Sequence, residues 1–482
     1  MTKSLPLWLK IKNNSYQIIF GIFLAVILFL LYSNIGRDAL FDWDEGIYAE
    51  LGRQLVVTKN LLITFWNGSA WLEKPPGIAW LSGLGIALAG PTALGARLFM
   101  PLVAVYVLYI VYLIGRRLGS PSHGLIAAGV LASLNLFLGR TRAVNTDMAL
   151  LASITTTILF LLESRPAWWV ALSIFGGVWF KGIAGLMSVI IALPLLLSKS
   201  KKYCLLIISY CLLLILPWHL YTYLKYGSEF TTPYFFEQVL RRATAQIEFH
   251  FENRWYYFNY LYENLGLGVL LVAGLGASMS LYKKKNLYLI WWALAPLAIF
   301  TLAKTRLFWY ILPIYPALSL LIAEAIGSFQ TTRTSRVVVS ILAVGLLFQA
   351  ILVTSRSVEL TKTAADTPDR IQVAQSLAKG SNKQTLFVLV PPSERLSEAL
   401  LPDVAKLSSS FRYGGMPSVV YYYRGPVEFY YDVDKFRAMW DSADAPLALI
   451  SVEDIKLIPG SYVPVVTTKT YLGIQKGVYA LR

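Results

Sequence analysis

Long uncharged apolar runs constrain this chain more than any other feature of its sequence. The run from Tyr16 to Ser33 contains no charged residue, and comparable runs recur as far as residue 354. Runs of about 17–25 apolar residues match the hydrocarbon thickness of a bilayer, and this one is too long for a cleaved secretory signal. Only 15% of the 482 residues are charged, where about a quarter is usual in soluble proteins. We therefore predict an α-helical polytopic membrane protein.

The alternation of apolar and polar segments predicts about eleven transmembrane helices, with the N-terminus in the cytoplasm. The predicted spans cover residues 16–33, 97–115, 123–139, 146–162, 167–180, 182–198, 203–224, 265–282, 287–303, 307–327 and 336–354. The segment from Gly77 to Gly90 is also apolar, but its fourteen residues are few for a span. Counting it as a span would invert every later loop, so we expect a re-entrant or interfacial helix there.

Basic residues are concentrated in one set of connections between the predicted spans. These connections contain Lys3, Lys10, Lys12, Arg116, Arg117, Arg165, Lys199, Lys201, Lys202, Lys283, Lys284, Lys285, Arg333 and Arg336. Their one acid is Glu163. Positive charge of this kind marks the cytoplasmic side of membrane proteins. The net charge of +16 is therefore assigned to membrane anchoring, and nucleic acid is not expected as a partner.

The chain divides into two regions of different composition. Residues 1–360 form the predicted transmembrane domain, and its outer loops are 34–96 and 225–264. From about residue 361, charges, prolines and short β-rich runs appear, so residues 361–482 are predicted to form a smaller soluble α/β domain. An odd number of spans places this domain on the extracytoplasmic side with the two loops. The β-rich runs are Thr385–Val390, Ser418–Tyr423 and Leu447–Ile450.

Two carboxylates and a lysine stand out in loop 34–96. Asp44 and Glu45 follow the first span at a predicted helix start, where acids also serve as helix caps. Further on, Lys74 follows Glu73 and precedes two prolines that fix the backbone. A lysine held at the membrane interface beside a carboxylate is a candidate phosphate ligand, although it can also extend towards lipid headgroups.

More cations are predicted on the same face, several of them directly against apolar runs. They are Arg140, Arg142, Lys181, Arg241, Arg242, Arg254, Lys304 and Arg306. Charges at such depth are costly unless they are paired or functional. Cations around a phosphate stabilise the charge that develops when it leaves a sugar, and a carboxylate can take the proton of an attacking hydroxyl. The pattern therefore suits the transfer of a sugar from a lipid phosphate.

Seven motifs occur in order along nearly the whole chain. They are Asp44-Glu45-x-x-Tyr48-Ala49-Glu50, Glu73-Lys74-Pro75-Pro76, Arg142 to Asp147, Trp179-Phe180-Lys181-Gly182, Tyr234-Phe235-Phe236-Glu237 with Arg241, Lys304-x-Arg306-x-x-x-Tyr310-Ile311-Leu312-Pro313, and Ser410-Phe411-Arg412-Tyr413 with Tyr421-Tyr422-Tyr423-Arg424. Together they resemble the GT-C glycosyltransferases, in the branch of the lipid A aminoarabinose transferases and protein O-mannosyltransferases (the PMT family). The resemblance implies a polyprenyl-phosphate sugar donor, an inverting transfer and a cavity facing the periplasm or cell exterior.

The resemblance and the charge pattern together give a set of expected site residues. Asp44 is the expected catalytic or acceptor-orienting carboxylate, with Glu45 as the second candidate. The expected donor-phosphate ligands are Lys74, Arg142, Lys181, Lys304 and Arg306. The other expected substrate contacts are Tyr48, Glu73, Asp147, Glu237, Arg241 and Tyr310.

Two positions depart from the family pattern. Ile47 stands where the family often has arginine, which affects a phosphate contact, and Gln238 stands where it often has histidine. The second departure weakens the case for a metal ion that bridges Glu73 and loop 225–264. No cofactor or metal ligand is therefore assigned, and a divalent metal is left open. Neither aminoarabinose nor lipid A is assigned as a substrate.

The expected function is a glycosyltransferase of the cell membrane that moves a sugar to a lipid or protein acceptor at the outer face. One alternative is a transporter or flippase of lipid-linked sugars, which would share the many spans and the polar residues at depth. Against it, we find no inverted repeat in the sequence, and the polar residues gather on one face. The other alternative is an inactive scaffold whose soluble tail binds a partner.

Overall fold

The computed structural model describes residues 7–245, 252–363, 367–380, 384–399, 412–458 and 460–476. Among the positions named above, Lys3, Ser410 and Phe411 lie outside these ranges. Up to Thr363 the described chain is helical apart from a short antiparallel hairpin of β1 (Thr64–Trp66) and β2 (Ser69–Trp71).

The helices of this region are numbered in chain order. They are α1 (Leu7–Tyr32), α2 (Asp44–Thr58), α3 (Gly77–Ala89), α4 (Ala93–Arg97), α5 (Met100–Leu118), α6 (Pro121–Ala132), α7 (Asn135–Gly139), α8 (Thr146–Leu162), α9 (Ala167–Lys181), α10 (Met187–Leu197), α11 (Lys201–Tyr226), α12 (Ser228–Thr231), α13 (Arg242–Thr244), α14 (Tyr256–Tyr282), α15 (Tyr288–Leu302), α16 (Tyr315–Gly327) and α17 (Arg333–Thr363). Two 3-10 segments, Gly182–Leu186 and Phe308–Ile314, and one π-helical segment, Thr232–Arg241, connect some of them.

Long apolar helices make this a multi-pass membrane protein. Within the described residues seven helical segments are long and apolar enough to cross a membrane, namely Ser15–Tyr32, Ala93–Leu118, Ala167–Leu197, Lys201–Tyr226, Tyr256–Tyr282, Phe308–Gly327 and Arg333–Glu359. Shorter apolar helices cover Gly77–Ala89, Pro121–Ala132, Thr146–Leu162 and Tyr288–Leu302. Because a short helix spans a bilayer only with help from its neighbours, the number of eleven spans stays a prediction.

The segment from Ala167 to Leu197 turns back on itself between α9 and α10. Gly182 has a φ of +60°, a conformation that glycine adopts without steric cost. A Cβ on Gly185 would lie 2.2 Å from the carbonyl carbon of Gly177, so the two glycines pack backbone to backbone. The turn places Lys181 at the tip of a helical hairpin, which agrees with the predicted division of this segment into two helices.

Helix α3 begins and ends on the same side of the bundle. Next to its start, the Glu73 carboxylate contacts Arg412 of the C-terminal tail at 2.8 Å. Beyond its end, the Thr92 carbonyl accepts a hydrogen bond from the Tyr421 hydroxyl of the tail at 3.0 Å. Both flanks of α3 therefore contact the tail, as expected for a re-entrant or interfacial helix.

The basic connections and the charged residues of the loops lie at opposite ends of the bundle. The connections after α8 and α10 meet where Lys199 donates a hydrogen bond to the Ser164 hydroxyl at 2.9 Å. At the other end of α8 and α9, Asp147 forms an ion pair with Lys181. This polarity agrees with the predicted separation of anchoring charge from site charge.

The tail from Asp369 onwards contains a five-stranded mixed sheet in the order β4-β3-β5-β7-β6. Its strands are β3 (Leu386–Leu389), β4 (Val427–Tyr430), β5 (Leu447–Ser451), β6 (Tyr462–Thr467) and β7 (Tyr471–Lys476). Strands β4, β3 and β5 are parallel, and β7 runs antiparallel to β5 and β6. Helices cover Asp369–Gly380, Pro392–Ala399, Ser418–Tyr423 and Val433–Ser442.

The prediction of a β-rich run at Ser418–Tyr423 is wrong, because these residues form a helix. Valines and tyrosines favour strands on a half-buried surface, but all six residues of this helix are buried. The Tyr422 hydroxyl accepts a hydrogen bond from the Leu40 backbone NH at 2.8 Å. Packing against the first outer loop therefore decides the structure of this segment over local propensity.

The tail is held closely against the first outer loop. The Asp42 carboxylate accepts hydrogen bonds from the Arg370 guanidinium at 2.9 Å and from the Ser418 backbone NH at 3.0 Å. A Cβ on Gly46 would lie 2.8 Å from the Ser418 nitrogen, so the glycine permits this close approach. The tail and loop 34–96 therefore pack together at one end of the helical bundle.

Candidate active site

A cavity of about 1040 Å³ lies between the membrane helices, the first outer loop and the tail. Its wall is formed by the start of α2, the residues before α3, the start of α8, the tip of the α9 hairpin, the π-helical segment and the Phe308–Ile314 segment. The lining is mainly apolar, as is typical of ligand sites, but among the described residues it also includes eleven charged side chains.

Asp44 is the first residue of α2 and faces the cavity. Its side chain is 44% exposed, and one carboxylate oxygen lies 3.7 Å from Nη2 of Arg140. The residue before it, Trp43, has a φ of +65°, which is a strained conformation for a tryptophan. Such strain is concentrated at functional sites, where surrounding structure holds it in place. The fold therefore presents the Asp44 carboxylate to the cavity beside Arg140.

A second carboxylate near Asp44 is fully neutralised by its neighbours. Asp147 is 4% exposed and pairs with both Lys181 and Arg140, the latter at 2.6 Å. The Arg140 guanidinium carbon also lies 4.7 Å from the ring centre of Trp309. Asp147 thus fixes the two cations in the cavity wall, and Asp44 remains the less engaged of the two acids.

Lys74 presents an ammonium group to the cavity without a carboxylate in contact. Nζ lies 5.7 Å from the ring centre of Tyr48 and 5.4 Å from that of Trp71. Within the described part of the chain no ion pair or hydrogen bond to this ammonium is formed at contact distance. Aromatic faces stabilise the cation but leave its donors available for an anionic ligand.

Burial and the neighbouring charges also act on the protonation of Lys74. Burial lowers the pKa of its ammonium group, and the charges of Arg242 and Lys181 lower it further. Glu73 and Asp44 oppose this effect but do not outweigh it. A bound phosphate would supply the negative charge that this cluster of cations lacks.

Glu73 joins three segments at the cavity edge. Its carboxylate accepts hydrogen bonds from Gln238 of the π-helical segment at 2.9 Å and from Arg412 and the Tyr413 hydroxyl of the tail, both at 2.8 Å. Burial alone would raise the pKa of Glu73, but the charges of Arg412 and Lys74 bring it below its ordinary value. Glu73 therefore holds the loops together as a charged carboxylate.

Glu45, the second predicted catalytic candidate, has a buried carboxylate that accepts four hydrogen bonds from three residues. Its oxygens accept hydrogen bonds from the Arg97 guanidinium at 2.7 and 2.8 Å. They also accept hydrogen bonds from the backbone NH groups of Phe41 and Val144 at 2.8 and 2.9 Å. A carboxylate with its oxygens occupied in this way fixes the start of α2 against α4. Glu45 borders the cavity, but this arrangement leaves Asp44 as the better placed acid.

Five of the predicted cations are not among the described residues that line the cavity: Arg142, Arg241, Arg254, Lys304 and Arg306. Arg306 donates to the backbone carbonyls of Glu252 and Thr301 at 2.6 and 2.9 Å. Arg142 donates to the Ser33 carbonyl at 2.9 Å, and Lys304 is exposed. The guanidinium groups of Arg142 and Arg306 therefore hold backbone carbonyls. The donor-phosphate proposal uses none of the cations outside the lining.

The remaining predicted substrate contacts, Tyr48, Glu237 and Tyr310, do line the cavity. Further lining residues were not among the predicted site residues, namely Trp43, Arg140, Arg242, Trp309, Glu394 and Tyr413. Arg140 and Arg242 belonged to the predicted group of cations on this face. The spacing of these cations in the sequence does not indicate which of them line the cavity. Glu394 could not be found from sequence, because its position depends on how the tail docks.

The described residues offer no evident metal site. Within them no group of three or more His, Cys, Asp or Glu side chains is placed to hold a metal ion. The direct hydrogen bond between Gln238 and Glu73 occupies the position where a metal bridge was considered. These donors therefore do not fit a bound cation, and no step of the mechanism below uses one.

The fold and the site define a class: multi-pass membrane proteins with a cavity that contains charged side chains and lies between the helices and a tail with a five-stranded sheet. A family model described as dolichyl-phosphate-mannose-protein mannosyltransferase matches residues 73–221. An undecaprenyl phosphate-alpha-4-amino-4-deoxy-L-arabinose arabinosyl transferase of Pseudomonas fluorescens is 25% identical in an alignment of 335 residues that covers 66% of this chain and 59% of that protein. A transferase with the same name from Pseudomonas aeruginosa is 27% identical over 64% of this chain and 58% of its own length.

Solved structures match over a larger part of the chain. ArnT from Cupriavidus metallidurans, crystallised with undecaprenyl phosphate, has a TM-score of 0.75 at 16% identity, covering 96% of this chain and 98% of that one. The oligosaccharyltransferase of Archaeoglobus fulgidus has a TM-score of 0.57 at 11% identity, covering 86% and 65%. These similarities show a common fold. With the sequence relatives, they confirm that this chain resembles the GT-C glycosyltransferases of the ArnT and PMT type.

Proposed function

We propose that this protein is a glycosyltransferase that moves a sugar from a polyprenyl-phosphate donor to a lipid or protein acceptor. The observation that carries the proposal is the pairing, in one cavity, of an available ammonium group on Lys74 with a lightly engaged carboxylate on Asp44. The names of the sequence relatives and the lipid phosphate bound to the structural relative support this donor class.

The proposed reaction breaks one bond and forms another at the anomeric carbon. The acceptor oxygen attacks this carbon, and the bond to the donor phosphate oxygen breaks with inversion. Asp44 takes the proton of an attacking hydroxyl, a role typically worth about 10²–10⁴-fold in rate. The polyprenyl phosphate leaves with the electron pair, and Lys74 stabilises its charge.

Lys181, Arg140 and Arg242 complete the cationic side of the cavity. Lys181 and Arg140 are held by Asp147, and Lys181 lies 5.6 Å from the ring centre of Tyr310. Arg242 donates a hydrogen bond to the Tyr310 hydroxyl at 3.0 Å. Because these groups are positioned before a ligand binds, they can stabilise developing phosphate charge without rearranging.

A transporter or flippase of lipid-linked sugars is the alternative function. A transport path needs polar surfaces that reach both faces of the membrane. In the described structure, the charged lining residues of α8 and α9 lie at one end, and basic anchoring connections occupy the other. This one-sided arrangement supports chemistry at one membrane face.

Purified protein is expected to release polyprenyl phosphate from a polyprenyl-phosphate sugar when acceptor-bearing membranes are added. The measurement is chromatography of a donor labelled in both the sugar and the lipid, for a panel of sugars. Concurrent appearance of free polyprenyl phosphate and of sugar on another molecule is the expected result. Movement of the intact donor across proteoliposome membranes without cleavage would favour the flippase.

We further propose that the cavity and the tail face the periplasm or cell exterior of the plasma or inner membrane. The positive charge of the Arg116–Arg117 and Lys283–Lys285 connections supports this orientation. A cysteine placed at exposed Glu453 of the tail is expected to react with an impermeant reagent in intact cells. A cysteine at Lys284 should react only after permeabilisation, and the reverse pattern would contradict the orientation.

A further inference from the structure

Tyr413 of the tail forms part of the cavity wall, although it lies far along the chain from the membrane helices. The residue is buried, with only 3% of its surface exposed. Its ring packs against Trp66 of the β1–β2 hairpin, with 5.1 Å between ring centres, and meets Trp43 edge-on at 6.5 Å. The tail therefore contributes a buried aromatic side chain to the cavity wall beside the first outer loop.

The Tyr413 hydroxyl uses its whole hydrogen-bonding capacity, which is one donor and two acceptor positions. It donates to the Glu73 carboxylate at 2.8 Å, and it accepts from the Trp71 indole NH at 2.5 Å and from Arg412 at 2.9 Å. Burial and the charge of Glu73 raise the pKa of Tyr413, so the hydroxyl keeps its proton. The direction of each bond is therefore fixed, and Tyr413 serves Trp71 as an acceptor.

Trp71 connects this hydroxyl to the ammonium group of Lys74. It is the last residue of β2, and Nζ of Lys74 lies 5.4 Å from its ring centre and 5.7 Å from that of Tyr48. The two rings stand at 88° to each other, so they form a corner in which the cation rests. The indole has a single polar group, its NH, and this group is bound to Tyr413. The orientation of one wall of the corner thus depends on a residue of the tail.

The tail also holds the other end of the hairpin. Strands β1 and β2 pair over only three residues each, and so short a hairpin is not stable by itself. At its turn, the Asn67 side-chain amide donates to the Val427 carbonyl and accepts the Val427 backbone NH at 3.0 Å. Val427 is the first residue of the edge strand β4. The position of Trp71 is therefore determined jointly by the first outer loop and the tail.

We propose that Tyr413 is a positioning residue, which orients Trp71 and through it holds the Lys74 ammonium towards the donor phosphate. The inference rests on the proposed function and extends its donor site to the tail. A lysine side chain is long and flexible, and binding costs less when the cation is already held in place. Loss of the Tyr413 hydroxyl leaves the buried indole NH without its acceptor, so the ring is no longer held in one orientation.

The test measures the phosphate preference of the purified protein, which is the affinity for a polyprenyl phosphate relative to the uncharged polyprenol of equal length. Tyr413→Phe keeps the ring and removes the hydroxyl. We expect it to lower the phosphate preference about fivefold, as for the loss of one buried hydrogen bond. A hydroxyl that only docks the tail would weaken the binding of both lipids alike, and an unchanged preference would overturn the inference.

The matched control is Tyr421→Phe. Tyr421 is another buried tyrosine of the tail, and its hydroxyl donates to the Thr92 carbonyl of the first outer loop at 3.0 Å. It does not line the cavity. Its variant loses a comparable contact between tail and loop and should keep the phosphate preference. An equal loss of preference in both variants would assign the effect to docking of the tail and overturn the inference.

A second substitution tests the path through Trp71. Trp71→Phe removes the indole NH but leaves the hydrogen bond from Tyr413 to Glu73 in place, and it should also lower the phosphate preference. Because both changes act on the same ring, the double variant should lose no more than the larger single loss. Additive losses would overturn the inference. If Tyr413→Phe alone does not fold, Trp71→Phe is compared with the double variant, and a further loss in the latter contradicts the inference.

Failure of the inference and failure of the proposed function give different results in this assay. A wild-type preference that is abolished by Lys74→Ala but kept by Tyr413→Phe overturns the role of Tyr413 alone. Equal affinity of the wild-type protein for the two lipids overturns the proposed donor site, and the inference with it.

Discussion

Lys74→Ala is expected to lower the rate of sugar transfer by about 100- to 1000-fold, the usual cost of removing one group that stabilises a developing oxyanion. The ammonium of Lys74 lies over two aromatic rings and has no carboxylate in contact within the described residues, so its loss leaves the leaving phosphate without its nearest cation. The measurement is single-turnover transfer from a polyprenyl-phosphate sugar. Lys74→Arg should restore little activity, because a planar guanidinium replaces a compact ammonium poorly in a fitted pocket.

The matched control for this variant is Lys59→Ala. Lys59 lies in the same loop, at the end of α2, but is exposed and does not line the cavity. Its removal should leave the transfer rate unchanged. A wild-type rate for Lys74→Ala would place the donor phosphate elsewhere in the cavity, with Lys181, Arg140 and Arg242 as the remaining cations.

Asp44→Asn is expected to reduce kcat at least about 100-fold with an alcohol acceptor, the lower end for a lost general base. Asparagine keeps the size and one acceptor oxygen of the side chain but cannot take the proton. With a phosphate acceptor, which is already ionised, the same change should cost much less. The measurement is the single-turnover rate of wild type and variant across pH.

The outcome of the Asp44 experiment also separates the two carboxylates at the start of α2, Asp44 and Glu45. Glu45→Gln removes a charge that is paired with Arg97 in the protein interior, so it should lower the thermal stability. A wild-type rate for Asp44→Asn on an alcohol would show that Asp44 is not the base. Glu45 would then be the next candidate, although its oxygens are occupied.

Much of the fold could be predicted because it depends on local composition. Apolar runs identified the membrane helices, and charge in the connections separated the two ends of the bundle. The start of α2 at Asp44 and the hairpin tip at Lys181 agree with the sequence patterns that placed these residues. These features could be predicted because the length of an apolar run and the charge of a connection are properties of short segments of sequence.

Contacts between distant segments could not be predicted in the same way. The helix at Ser418–Tyr423 reads as a strand locally and is decided by burial against the first outer loop. Arg306 and Arg142 carry the same charge as Lys74, but in the structure their guanidinium groups donate hydrogen bonds to backbone carbonyls. Whether a cation contacts a ligand or a loop depends on the tertiary structure, which the spacing of residues along the sequence does not determine.

Binding of a polyprenyl phosphate, compared with the uncharged polyprenol of equal length, tests the central claim most directly. It needs neither the sugar nor the acceptor to be known. We predict saturable binding of the phosphate to purified protein, at least about tenfold tighter than the alcohol, as expected for a charge-assisted contact. Lys74→Ala should remove this preference, and Lys59→Ala should keep it. Equal affinity of the wild-type protein for the two lipids would contradict the account.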